Sequence, residues 1–276
     1  MRARDGKRRL PIKYAILADI HANRDALSAV LADIDARGIG RIVCLGDVVG
    51  YGPEPDECVA MLADRDVPCV RGNHDAVAAG LRPPLHFGQR ASHAIRWTRR
   101  HLGESARTAI AAYPLTRIID ERFMLVHAAL HPRPNDVLRI RNEEEARLTL
   151  RILHRDFPGL RLCFFGHTHL PAAYQEKEGR TTRQNGDTVA VHDGAAWLVN
   201  PGSVGWSREE PRRACYATCD MEGGVSFHQV EYDVEAFERK LAAAGLNHRS
   251  STLGHVGCWM RDRFHEARAA VAKLGT

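Results

Sequence analysis

Five short segments of the chain carry side chains that bind divalent cations. They are Asp19-Ile20-His21, Gly46-Asp47, Gly72-Asn73-His74-Asp75, the lone His127, and Gly166-His167-Thr168-His169. Carboxylate, imidazole and amide donors without thiolate suit Mn²⁺, Fe or Zn²⁺ and do not resemble a Cys-rich structural zinc site. Asp19 and His21, like His167 and His169, are two positions apart, so in an extended chain each pair turns two side chains to one side. The glycines beside them, Gly46, Gly72 and Gly166, permit sharp turns and close backbone approach. Seven candidate ligands are too many for one tetrahedral ion and suit two ions that share a carboxylate. Two such ions ~3.5–4 Å apart can clamp the attacking and leaving oxygens of a displacement at phosphorus. Any one of these His, taken alone, reads better as a satisfied core imidazole or a helix cap. Their joint placement is what favours ligation. The chain has 15 His, and the others, among them His86, His93, His101, His131 and His154, show no ligand spacing.

The elements around these segments explain why they would converge. Apolar runs at 14–18, 42–45, 67–70, 123–126 and 162–165 read as strands, and each leads directly into one of the five segments. Between them, Leu27, Val30, Leu31 and Ile34 mark one face of a helix that Asn23 would cap. Further helices are expected over 56–64, 89–112 and 143–154. Such alternation implies βαβ units around a buried parallel sheet, and in open sheets of that kind ligands bind beyond the carboxyl ends of the strands. After residue 170 the texture changes to short strands at 172–177, 188–192, 196–199, 214–218 and 225–231, separated by Gly, Asn, Asp or Pro, which suggests antiparallel pairing. Two helices close the chain. The second keeps Met260, Phe264, Ala267, Val271 and Leu274 on one stripe, which needs either an intramolecular dock or a second copy of the chain.

The series D-x-H, G-D-x-x-G, G-N-H-D, an isolated His and G-H-T-H resembles the calcineurin-like metallophosphoesterase superfamily, with all five blocks in order from Asp19 to His169. The stretch from Leu45 to Pro53 (LGDVVGYGP) and that from Val199 to Gly205 (VNPGSVG) are similar to its small prokaryotic phosphodiesterase branch, related to the diadenosine tetraphosphatases. The resemblance spans roughly residues 13–232. It implies a four-layer α/β/β/α sandwich of two mixed sheets with flanking helices, to which the C-terminal helical pair is appended. It implies that Asp19, His21 and His169 hold one metal, that Asn73, His127 and His167 hold a second, and that Asp47 bridges them. His74 would be a non-ligand imidazole that stabilises charge or protonates the leaving oxygen, with Asp75 setting its tautomer. The cofactor implied is a pair of divalent ions, Mn²⁺ first, with Fe, Zn²⁺ or Ni²⁺ as alternatives, and the nucleophile a hydroxide bridging them.

That family reading makes the chain a phosphoric ester hydrolase acting on phosphodiester bonds of small nucleotide or aryl substrates. A dinucleoside polyphosphate hydrolase is the alternative within the class, and a non-catalytic protein-binding scaffold of the same fold is the alternative outside it. Two departures argue against a phosphoprotein phosphatase: Val48-Val49-Gly50-Tyr51 follows Asp47 where those enzymes carry an Arg, and Asp75 stands where they have Glu. Tyr51 is a candidate to stack on a base or aryl leaving group, or else a packed loop aromatic. Asn200-Pro201-Gly202-Ser203 reads as a tight turn under the site, and Arg96, Arg99 and Arg100 as a solvated helix face.

Composition sets the outer bounds. The 276 residues are 44% hydrophobic and 26% charged, which excludes a wholly disordered or fibrous chain. The net charge is only +5, and Arg2, Arg4, Lys7, Arg8 and Arg9 place much of it in an N-terminal tail, so nothing points to nucleic acid or a membrane surface. No apolar run approaches the ~18 residues of a membrane span, and the run after the tail is too short for a signal peptide. Seven Cys without C-x-x-C spacing fit core packing and a cytoplasmic setting. The expected organisation is a basic tail over 1–12, a metallophosphoesterase domain over 13–232 and a C-terminal helical extension over 233–276.

Overall fold

The computed structural model describes residues 12–85, 87–131, 138–191, 194–220 and 223–247. The basic tail, the loop 132–137 and the second helix of the C-terminal pair lie outside the described residues, as does the apolar stripe on that helix. In chain order the elements are β1 (Lys13–Leu17), α1 (Arg24–Ala36), β2 (Arg41–Cys44), α2 (Pro55–Ala63), α3 (Asn73–Ala78), α4 (Gln89–His101), α5 (Glu104–Ala112), β3 (Thr116–Ile119) and β4 (Phe123–Val126). They continue with α6 (Glu143–Asp156), β5 (Leu162–Phe164), β6 (Ala172–Lys177), β7 (Arg180–Gln184), β8 (Thr188–Val189), β9 (Ala196–Asn200), β10 (Ala214–Asp220), β11 (Gly224–Val230) and α7 (Val234–Ala243).

Two mixed sheets form, in the orders β2-β1-β10-β11-β8 and β3-β4-β5-β9-β6-β7. In the first, β1 and β2 run parallel and the rest pair antiparallel; in the second, β4, β5 and β9 are parallel. Strand alternation assigns each face. Tyr14 and Ile16 of β1 meet Leu162 and Phe164 of β5 between the sheets, in a core shared with Phe123, Leu125, Trp197 and Val199. The alternate residues Ala15 and Leu17 face a helical layer carrying Leu27, Val30, Ile34, Leu62, Ile95 and Ile110. On the far side, Met124, Cys163 and Leu198 face Leu150 and Leu153 of α6. The result is the expected four-layer α/β/β/α sandwich, with the period of two deciding which side chain enters which interface.

Several local expectations need correction. The run 67–70 is no strand. It meets β2 only through the bridge between Cys44 and Cys69, because Pro68 has no amide to donate and Arg71 N–H turns away to Pro114 O. The long helix expected over 89–112 is two, α4 and α5, broken at Leu102-Gly103, where the Asp56 carboxylate accepts the Gly103 N–H. Strands β3 and β7 were not foreseen. The later strands do pair antiparallel as expected, β6 with β7 and β9, and β11 with β10 and β8, but within the two sheets: β10 adds to β1, and β9 also runs parallel to β5.

The first of the two expected C-terminal helices is α7. Its Phe237 and Leu241 are buried with Leu246 and Ala94, against Tyr51, Trp97, Trp206 and Tyr232. Lys240 Nζ donates to both Asp25 (2.8 Å) and Glu54 (2.9 Å), tying α7 to the starts of α1 and α2. No helix among the described residues is long and apolar enough to cross a membrane.

Candidate metal centre

The loops after β1, β2, β4 and β5 lie at one edge of the two sheets and interlock there. Asp19 N–H donates to Gly46 O (3.0 Å), His21 N–H to Asp47 O (2.9 Å), and Gly166 N–H to His127 O (2.8 Å). The two sheets are joined across the site by His167 N–H to Asp19 Oδ2 (2.9 Å) and by His127 Nδ1 to Leu45 O (2.8 Å). From β9 the turn Asn200–Ser203 supports these loops from below. Asn200 Nδ2 donates to Gly166 O (2.8 Å), and Ser203 Oγ donates to Asp19 O (2.8 Å). Asn23 caps α1 through Ala26 N–H and also holds Gly205 O (3.0 Å).

Strand alternation is not what turns the ligand pairs to one side. Asp19 (φ 54°), His21 (φ 51°), Asp47 (φ 52°), His167 (φ 69°) and His169 (φ 63°) are all in the left-handed region. Non-glycine residues rarely adopt it, and such clusters occur where function holds the backbone in a costly conformation. At Gly72 close approach is decisive: a Cβ there would lie 2.0 Å from Asp47 Oδ1.

Ligand atoms gather in three groups, each within 4.8 Å: Asp19, His21 and His169; Asp47, His127 and His167; and His21, Asp47 and His74. The first is the set expected for one metal, and the second joins the expected bridge Asp47 to two of the three ligands expected for the other. Asn73, the remaining candidate, places Oδ1 3.2 Å from His127 Nε2. Asp47 lies between the groups, its Oδ2 3.3 Å from His127 Nε2 and 3.9 Å from His21 Nε2. All seven candidates are therefore together.

Three imidazoles are oriented by backbone. His21 Nδ1 meets Val49 O (3.2 Å), His127 Nδ1 meets Leu45 O (2.8 Å), and His169 Nδ1 meets Trp206 O (2.8 Å). A carbonyl only accepts, so each Nδ1 carries a proton and each Nε2 turns inward, the orientation that ligation needs. His21 Nε2 and His169 Nε2 are 3.0 Å apart. Burial drives the pKa of His21 well below its ordinary value and that of His169 to about 3, so two neutral lone pairs face each other. Asp19 Oδ1, fully buried beside them, has no hydrogen-bond partner. Burial and then, against the charge of His127, the nearby Asp47 raise the Asp19 pKa to about 7. Burial would also neutralise Asp47, but His127 and His74 hold its pKa well below the carboxylate range. Burial opposes charge on His127, yet Asp47 outweighs it and lifts that pKa to about 10. Opposed lone pairs, an orphaned carboxylate oxygen and a proton trapped between buried groups are all relieved by divalent cations, so the donor set fits them.

His74 is wedged among rings, with centroids 4.8 Å from His21, 4.8 Å from Tyr51 and 4.7 Å from Phe87. Its backbone N–H donates to Asp47 Oδ1 (2.8 Å), and its Nδ1 has no partner. The expected role of Asp75 therefore needs correction: its carboxylate does not reach that ring. It accepts instead from the N–H groups of Asp47 (2.8 Å), Val49 (3.2 Å) and Gly72 (3.0 Å), pinning the loops that carry Asp47 and Asn73. Tyr51 is not open for stacking either. Trp206 lies parallel to it at 4.8 Å and 15°, and the His74 ring leans against it at 4.8 Å and 41°. Trp206, Arg90 and Arg208 escaped sequence reasoning. Arg90 stacks on Trp206 at 4.5 Å, and the charge of Arg208 acts on Asp19, His169 and Tyr51. No local spacing marks these residues; Trp206 follows the VNPGSVG turn that supports the site, the nearest thing to a signal.

Residues 12–224 match the family model described as the calcineurin-like phosphoesterase superfamily domain. The chain is 33% identical over 230 residues to the uncharacterized protein MJ0912 of Methanocaldococcus jannaschii, covering 82% of this chain and 90% of that one. Among solved structures it is similar to a metallophosphoesterase from Sphaerobacter thermophilus (32% identity, TM-score 0.70, 86% of this chain and 96% of that one). It also shares the fold of the hypothetical protein PH1004 from Pyrococcus horikoshii OT3 (21% identity, TM-score 0.67, 86% and 94%).

Proposed function

The chain belongs to the calcineurin-like phosphoesterase superfamily, and from that premise we propose that it hydrolyses phosphodiester bonds of small nucleotide or aryl substrates with two divalent metal ions. The observation that carries this reading is the facing pair of buried ligand groups with Asp47 between them. Asp19, His21 and His169 would hold one ion, Asn73, His127 and His167 the other, and Asp47 would be shared between them. Ions bound there would supply Lewis-acid charge that makes water nucleophilic near neutral pH and neutralises phosphoryl oxygens.

The chain's own residues do the rest. The carbonyls of Val49, Leu45 and Trp206 fix three imidazoles in the ligating orientation, so no reorientation is needed as substrate binds. Asp75 keeps the Asp47 loop in place through three backbone amides. His74, which lacks the carbonyl anchor of those imidazoles, holds a proton for the departing oxygen. Mn²⁺ is the first choice of metal, with Fe, Zn²⁺ and Ni²⁺ as alternatives. The cytoplasmic setting expected from the cysteines belongs to the same proposal.

One observation favours dinucleoside polyphosphates as a second substrate class. Arg208 is exposed, makes no ion pair among the described residues, and exerts its charge on Asp19, His169 and Tyr51. It is available to a phosphate beyond the one being cleaved. The test is a panel of mono-, di- and dinucleoside polyphosphate esters assayed on metal-stripped protein with added Mn²⁺. Hydrolysis of diesters or dinucleoside polyphosphates that requires metal is the expected result. Protein that retains metal yet hydrolyses nothing would favour the non-catalytic scaffold.

A further inference from the structure

The loop Gly50-Tyr51-Gly52 is held against the candidate metal centre more tightly than packing of one aromatic requires. Gly52 N–H donates to His21 O (2.9 Å), and Glu54 N–H donates to Ala22 O (3.2 Å). Gly50 (φ 96°) passes so close to His74 that a Cβ would lie 2.3 Å from the ring Nδ1. Tyr51 itself sits at φ 46°, a left-handed conformation costly for an aromatic residue. Its ring is clamped by His21 at 4.7 Å, His74 at 4.8 Å and Trp206 at 4.8 Å. Behind Trp206 stand Arg90 at 4.5 Å and Phe237 of α7 at 6.1 Å, so the clamp extends into the helical layer.

All this machinery fixes a ring whose polar end is unused. The hydroxyl of the half-buried Tyr51 has no hydrogen-bond partner among the described residues, whereas two of the three fully buried tyrosines, Tyr14 and Tyr216, donate to carboxylates, Asp120 and Asp33. An ordinary phenol is a protonated donor at neutral pH, and the charges of Arg208, Asp47, Arg139 and Arg90 all act on this one. A strained, rigidly stacked donor beside the candidate ligand His21, with three arginine charges acting on it and without a protein acceptor, is arranged for an anionic acceptor that arrives with the substrate.

We propose that Tyr51 is a catalytic residue, its hydroxyl donating a hydrogen bond to a non-bridging oxygen of the phosphoryl group under attack. The phenol keeps its proton throughout; it stabilises charge and transfers nothing. This rests on the phosphoesterase reading above and adds to it a residue whose ring is structural and whose oxygen is functional.

Tyr51→Phe separates the two roles, because it retains every ring contact and removes only the hydroxyl. Loss of one hydrogen bond to a charged group is worth a factor of ~10–10² in binding or rate. In the Mn²⁺-loaded variant, kcat/KM toward a diester is expected to fall by ~10–10²-fold, and the inhibition constant of inorganic phosphate to rise by about as much. Melting temperature and metal content should match wild type. Tyr51→Leu, which also breaks the ring clamp, should lower the melting temperature in addition. Wild-type kcat/KM and wild-type phosphate inhibition in Tyr51→Phe would overturn the proposal while leaving the phosphoesterase reading intact. A metal-loaded wild type inert toward every ester would overturn both.

Discussion

Replacing Asp75 tests whether its carboxylate anchors the site loops or sets the His74 tautomer. In Asp75→Ala three buried backbone donors, the amides of Asp47, Val49 and Gly72, lose their only acceptor. Each orphaned donor costs roughly 1–3 kcal/mol, about 3–9 kcal/mol gross. The carboxylate is itself costly: burial, with Asp47 close by, raises its pKa from 3.8 to about 6. Such a shift relieves roughly 3 kcal/mol at neutral pH when the charge is removed. The net loss for Ala is then a few kcal/mol. Asp75→Asn keeps one oxygen, enough for Asp47 and Gly72, and loses about one bond while shedding the charge, so it should lie close to wild type.

Because the folded pKa is raised, the stability associated with the protonated carboxyl is fully present below about pH 4 and is lost as pH rises through about 6. Urea denaturation of metal-stripped protein should therefore rank Ala well below Asn, with the Ala deficit larger at pH 5 than at pH 8. A net 3 kcal/mol corresponds to a midpoint shift of about 1–2 M urea. An Ala variant with the wild-type midpoint would refute the anchoring role. Turnover decides the other half: Asn should stay within about tenfold of wild type, whereas a carboxylate that sets a catalytic tautomer costs ~10⁴-fold when amidated.

Three further predictions follow from the same geometry. His74→Ala should keep near-normal metal content while turnover falls by ~10²–10⁴-fold, the range for acid–base assistance; loss of metal instead would make His74 a ligand, as its place near His21 and Asp47 allows. Metal uptake at neutral pH should release protons, since Asp19 binds a proton below about 7 and His127 below about 10, and ligation removes both; calorimetry in buffers of different ionisation enthalpy measures this, and zero release would contradict it. Phe237→Ala in α7 empties a fully buried position against Trp206, so it should cost about 3–5 kcal/mol and also lower kcat/KM; a loss of stability with unchanged kinetics would show that α7 does not steady the Tyr51 clamp.

The ligand set was legible because few side chains bind hard or borderline cations, and because each lay just beyond a short apolar run. The helix α1 was equally clear, from its apolar stripe and from Asn23, which caps it as expected. What the sequence hid has physical causes. Asp19, His21, Asp47, His167 and His169 take left-handed backbone although none is glycine, because the interlocked loops impose it. The polar strand β7 has no apolar alternation; it forms because β6 offers it an edge. Asp75 precedes Ala76 in a short helix and adjoins His74 in sequence, which suggested a partnership, but the carboxylate folds back onto amides of the preceding loops. The Tyr51–Trp206–Arg90 stack joins residues far apart along the chain, and contacts of that kind leave no local pattern.

Two divalent ions at one shared carboxylate is the claim on which the chemistry depends, and metal stoichiometry tests it most directly. Metal-stripped protein should be loaded with Mn²⁺, freed of unbound ion by gel filtration and analysed for metal per chain, beside Asp47→Asn. The account predicts about two ions per wild-type chain, and one or fewer in the folded variant, with metal-dependent turnover abolished. Wild-type protein that retains no metal, or an Asp47→Asn variant that keeps both ions and most activity, would contradict it.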